Sequence, residues 1–148
     1  MADDRVVFWG VTGVLTDGDN RIGGSAETMT QLKLRGVQAM TLVTDQTAAE
    51  ATSAVVAIGV DRYLDLEVGA YGHADPAVAL AKVEAKYGVV AGATLVTHST
   101  MDAAAASALG WHVVGISNDA DELYAAGAKA VFGDLSDIPA VVSAIQGQ

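Results

Sequence analysis

Val6-Val7-Phe8-Trp9-Gly10-Val11-Thr12-Gly13-Val14-Leu15-Thr16-Asp17-Gly18 is an apolar run that ends in a glycine-bounded turn. Its first half has the β-branched and aromatic content of a buried strand, and Arg5–Gly10 is read as strand one. Residues 11–24, rich in Gly and Asp, are expected to form a turn and a small flap. Working outward, Ser25 is expected to cap a helix running to Gly36, with Met29, Leu32 and Leu34 as a ragged apolar face. Gln38–Thr44 then reads as a second strand, followed by a helix from Thr47 to about Ile58 that Gly59 stops.

The alternation continues to the end of the chain. Tyr63–Val68 has the pattern of a short strand, Asp75-Pro76 opens a helix, and Gly88 is its matching stop. Ala93–Thr97, His112–Ile116 and Ala130–Phe132 are further strands. Between and after them, Ser99–Leu109, Ala120–Ala126 and Ile138–Ile145 read as helices. Strands alternating with helices over short connections predict a Rossmann-like three-layer α/β sandwich, one domain over residues 1–148, with a mainly parallel central sheet. Ligands of open α/β sheets bind beyond the carboxyl ends of the strands. The turns to watch are therefore Gly10–Gly13, Thr44–Gln46, Gly72–Asp75, Thr97–Asp102 and Ser117–Asp119.

Composition narrows the function. The 148 residues carry 18 acidic and 8 basic side chains, a formal charge of −10, with about half the residues apolar. Such a surface repels phosphate backbones and anionic lipids, so neither nucleic acid nor a membrane is an expected partner. The absence of cysteine excludes disulfides, thiolate catalysis and zinc–thiolate sites. The acidic start Met1-Ala2-Asp3-Asp4 lacks the basic and apolar regions of a signal peptide, and no apolar stretch is long enough to span a bilayer. A soluble, cytoplasmic protein is expected.

The opening stretch resembles the first motif of the haloacid dehalogenase superfamily, an apolar run followed by Asp-x-Asp-Gly-(Thr/Val)-Leu. Laid on that pattern, Gly10 stands where the nucleophilic aspartate would be and Thr12 where the general acid/base would be. Thr41-Leu42-Val43-Thr44-Asp45 resembles the second motif, whose hydroxyl holds the phosphoryl group. Gly72-His73-Ala74-Asp75-Pro76 resembles the Lys-Pro-x-Pro segment of phosphoglucomutase-like members, with His73 in place of the lysine. Thr94–Asp102 resembles the fourth motif, Gly-Asp-x-x-x-Asp, with His98 at the first metal-orienting aspartate and Asp102 retained at the second. Ala108–Ile116 and Ala125–Phe132 are also similar to the family. Few residues separate the first two motifs, so the resemblance implies a fold of this type with no cap domain there.

Phosphatases of that superfamily need a carboxylate nucleophile, a magnesium ion and a cation over the phosphate. Gly10 has no side chain to attack or to hold metal, so carboxylate-based phosphoryl transfer is not expected. Two of the chain's three histidines, His73 and His98, fall instead at former catalytic positions. The preferred reading is metal-independent acid–base chemistry on a small organic ligand, of the isomerase, lyase, cyclase or hydrolase kind, with no cofactor. His98 and His73 would exchange protons and Asp102 would orient His98. Gly10, Val11, Thr12, Gly13, Thr44 and Asp45 would line the ligand site, the two glycines opening an apolar hole beside Trp9 and Val11. His73, His98 and Asp102 also form a conceivable metal set, but their spacing is not diagnostic.

The alternative is a pseudoenzyme that binds a ligand or protein partner, with a second copy of the chain as one such partner. A weaker alternative is a residual phosphatase or other hydrolase of the same superfamily. Two blander assignments accompany these: Asp45 as a helix-capping carboxylate, and His112, beside Trp111, as a structural histidine at a strand end.

Overall fold

The computed structural model describes residues 3–17, 20–21, 23–67, 69–72, 75–87 and 93–146. Five parallel strands form the central sheet: Asp3–Trp9 (β1), Val37–Leu42 (β4), Ala93–Thr97 (β5), His112–Ile116 (β6) and Ala130–Phe132 (β7), in the spatial order β4-β1-β5-β6-β7. A two-stranded antiparallel ribbon, Thr16–Asp17 (β2) with Asn20–Arg21 (β3), is the flap expected within residues 11–24. Between β1 and β4 the described chain holds this ribbon and one helix, with no inserted cap. The architecture is the expected Rossmann-like α/β sandwich.

Side chains alternate across β1 and so assign each face its core. Val7 and Trp9 pack with helices Ser25–Leu34 (α1), Ala48–Ala57 (α2) and Ile138–Ile145 (α6), through residues such as Met29, Val55 and Val142. Val6 and Phe8 pack on the other face with Pro76–Tyr87 (α3), Thr100–Ala108 (α4) and Ala120–Ala125 (α5), through Leu80, Ala106 and Leu123. Both faces of the sheet are covered, which is why its strands read as near-continuous apolar runs. Phe8 stacks on Trp111 with ring centroids 4.6 Å apart. Leu80, Leu95 and Leu123 are buried, and truncating any of them to Ala costs about 2–5 kcal/mol.

Three local expectations are corrected. Tyr63–Val68 does not form a strand over its described part. A 3-10 turn at Asp61–Tyr63 leads into irregular backbone that meets β4 at isolated points, through Asp65 N–H to Met40 O (2.8 Å), the Thr41 hydroxyl to Asp65 O (2.6 Å) and Ala70 N–H to Leu42 O (2.9 Å). Tyr71 Oη donates to the Leu66 carbonyl at 2.7 Å, so that carbonyl is taken by a side chain and not by a strand partner.

The N-cap of α1 is Gly24, not Ser25, and Ser25 Oγ is buried without a partner among the described residues. Gly24 has φ +93°, and an added Cβ would lie 2.0 Å from Leu135 O, so close approach of the distant 135 loop decides this terminus. Leu34 is corrected as well: Met29 and Leu32 are buried, whereas Leu34 is 75% exposed. The expected Gly88 stop of α3 lies outside the described residues.

Candidate functional site

Strand β1 sits between β4 and β5 although β4 follows it in the chain and β5 comes later still, so the connections diverge to either side at β1. That is the topological switch point, where the carboxyl ends of an open parallel sheet leave a crevice. A cleft of about 440 Å³ occupies it, lined by Gly10, Val11 and Thr12 after β1, Val43, Thr44 and Asp45 after β4, and Thr97 to Ser99, Met101 and Asp102 after β5. Most of the residues expected to line a ligand site thus come together. Gly13 opens instead onto a neighbouring cavity, and His73 lies outside the described residues.

Each wall is set by local chemistry. Gly10 closes β1 with its N–H donating to Val96 O at 2.8 Å, so the strand end is pinned while no side chain enters the cleft. Thr44 Oγ1 accepts the Gln46 N–H (3.2 Å) and Thr97 Oγ1 accepts the Ser99 N–H (3.0 Å), which turns the chain out of β4 and β5. Ser99 caps α4 by accepting the Asp102 N–H at 3.2 Å, and the Asp102 carboxylate sits in the first helical turn, where the helix dipole favours it. Asp45 is not a cap. Thr47 caps α2 in a capping box with Glu50, two residues further on, which leaves Asp45 exposed at the cleft.

The imidazole of His98 is the chemically distinctive group. Its Nδ1 lies 2.8 Å from the Ile116 carbonyl oxygen. A carbonyl can only accept, so Nδ1 carries the proton, and in the neutral ring Nε2 keeps its lone pair. The β6 main chain therefore orients the ring through Nδ1. The ring also fills the space over Gly13, where an added Cβ would come within 2.5 Å of His98 Cγ. Around the two glycines, His98 covers Gly13, Val14 lies against Gly10, and Trp9 and Val11 are buried.

His112 bonds through Nε2 to the Ala144 carbonyl, away from the cleft, as a structural histidine does. Among the described residues no Lys or Arg lines the cleft, and no three His, Asp or Glu side chains converge as a metal-holding group. Two contributors escaped the sequence reading. The Ile116 carbonyl carries no signal, because every residue has one. Asp134, which follows β7 and lines the neighbouring cavity, could have been found by extending the strand-end rule to the last strand.

No family model matches the chain, and no curated protein matches it. Solved structures do. A candidate beta-phosphoglucomutase from Thermotoga maritima superimposes with a TM-score of 0.79 at 16% identity, over 94% of this chain and 98% of that one. A candidate phosphatase from Clostridium difficile gives a TM-score of 0.81 at 10% identity, over 96% and 100%. A haloacid dehalogenase-like family hydrolase from Streptococcus pneumoniae gives 0.76 at 8% identity, over 95% and 99%. The chain shares its fold with these structures, haloacid dehalogenase-like ones among them. No helix among the described residues is long and apolar enough to cross a membrane.

Proposed function

We propose that this haloacid dehalogenase scaffold has given up phosphoryl transfer and uses its strand-end cleft to move a proton on a small organic ligand. The observation that carries this reading is the pairing of Gly10 with His98: glycine, with no side chain, closes β1, and a tautomer-fixed imidazole lines the same cleft. His98 Nε2 takes the proton, in a transfer such as an isomerisation or elimination. Thr44 retains its hydroxyl hydrogen to donate to the ligand, and Asp45 and Asp102 supply negative charge at the cleft. Among the described residues no Lys or Arg lines the cleft to take a phosphate. His73 remains the candidate for a second proton donor.

The test uses the purified full chain in heavy water with a mixture of cell metabolites. Solvent deuterium should enter one metabolite, and His98→Ala should lower the rate at least 100-fold. Unchanged incorporation in that variant, or magnesium-dependent turnover of p-nitrophenyl phosphate by the wild type, would overturn the proposal. The pseudoenzyme alternative draws on a different feature, the solvent exposure of His98. It predicts saturable binding of a metabolite or a second copy of the chain, with no incorporation at all.

A further inference from the structure

His98 and Thr12 border not one cavity but two. Behind the imidazole a second chamber of about 470 Å³ opens between the β6 and β7 ends and the turn leading to α1. Gly13, Gly23, Asn118, Gly133 and Asp134 contribute to its walls. We infer that this chamber is a second subsite of the same centre, so that the ligand is a two-ended molecule lying across Thr12 and His98 with an amine-bearing end behind the ring. The inference rests on the proton-transfer reading for the role of His98, and on separate residues for the ligand's class.

Three observations carry it. First, His98 lines both chambers, so a ligand that spans them passes the same imidazole. Proximity of that kind is what makes a single base effective. Second, the chamber is lined by hydrogen-bonding groups suited to a donor. Ser136 gives both its N–H (2.9 Å) and its hydroxyl (2.6 Å) to Asp134 Oδ1, which orients the carboxylate and leaves Oδ2 to accept from elsewhere. Those two bonds also hold the Asp134 carboxyl below its ordinary value, so it is ionised at neutral pH. Third, neither chamber is lined by Lys or Arg among the described residues, so an anionic end would be unmatched in both.

Gly23 offers a clean way to close the chamber. Its φ lies outside the left-handed region, and an added Cβ would meet no atom within 4 Å. A leucine there adds bulk at the chamber wall without backbone strain or a clash at Cβ. The full chain is titrated with putrescine, and separately with succinate at matched ionic strength, while amide signals are followed by NMR. Putrescine should shift the Asn118 side-chain amide and the Thr44 backbone amide together along one binding curve, and succinate should shift neither. Gly23→Leu should weaken putrescine at least fivefold and abolish the Asn118 shift, and Asp134→Asn should weaken it at least threefold. An unmoved Asn118 signal in the wild type, an equal response to succinate, or full affinity in both variants would overturn the inference. Binding confirmed across both chambers together with unimpaired deuterium incorporation by His98→Ala would instead sink the proton-transfer reading alone.

Discussion

At Gly10 an added Cβ would lie 3.4 Å from Val14 Cγ2 and 3.5 Å from Val96 O, ordinary contact distances, and its φ is one that any residue adopts. Three positions later Gly13 has φ +82°, and a Cβ there would overlap the His98 ring. Gly10→Ala should therefore change stability by less than about 1 kcal/mol, as a strain-free glycine replacement does. Gly13→Ala should cost roughly 1–3 kcal/mol from backbone strain alone. It should also push the imidazole off Ile116 O, so that the neutral ring no longer favours the Nδ1–H tautomer. Urea unfolding curves check the first part, and imidazole nitrogen chemical shifts check the second. If Gly13→Ala keeps the wild-type tautomer, the ring is not held by the contacts described.

Among the elements, α2 has the fully formed cap. Thr47 Oγ1 accepts the Glu50 N–H at 3.2 Å, and Glu50 Oε1 accepts the Thr47 N–H at 3.0 Å. The Thr47 backbone bond, and after it the Thr47 side-chain bond, hold the Glu50 carboxyl below its ordinary value of 4.5. A carboxylate whose folded pKa is depressed stabilises the fold above its unfolded pKa, and that contribution fades as pH falls through the folded value. The melting temperature of wild type minus that of Glu50→Gln should thus be positive at pH 7 and shrink towards zero below about pH 4. A difference that is flat with pH would mean the box does not form in solution. Caps also show what the chain alone could convey. Asp75-Pro76 was legible because cap and helix are neighbours, and Asp75 Oδ1 does accept the Ala77 N–H at 3.1 Å. The α1 terminus was not, because Leu135 decides it from the far end of the chain. Tyr63–Val68 misled for a related reason: Leu64 and Leu66 alternate as an edge strand would, but the Leu66 carbonyl is taken by the Tyr71 hydroxyl and not by a strand partner.

For the molecule as a whole, the sheet order was open in the sequence, while the cleft's position was not. Strands buried on both faces announce a parallel sheet, and a parallel sheet places its binding turns at one edge, which is how Thr44, Asp45, His98 and Asp102 were found before their geometry was known. What pattern could not supply was the partner of His98, a main-chain oxygen on β6. Net charge is the remaining global property, and it too is testable. Eighteen acidic against eight basic residues give −10 at neutral pH, and like charges spread over one small fold repel one another more when compact than when unfolded. Screening length falls from about 30 Å at 0.01 M salt to about 10 Å at 0.1 M, comparable to distances between surface carboxylates. Raising sodium chloride from 0.01 to 0.3 M should therefore raise the melting temperature by several degrees. The gain should level off above that concentration and vanish near the isoelectric point of about 4.4, where the net charge is gone. A salt response that persists unchanged at that pH would assign the effect to ion binding at a specific site, and the two carboxylate-bearing chambers around His98 would be the first place to look for it.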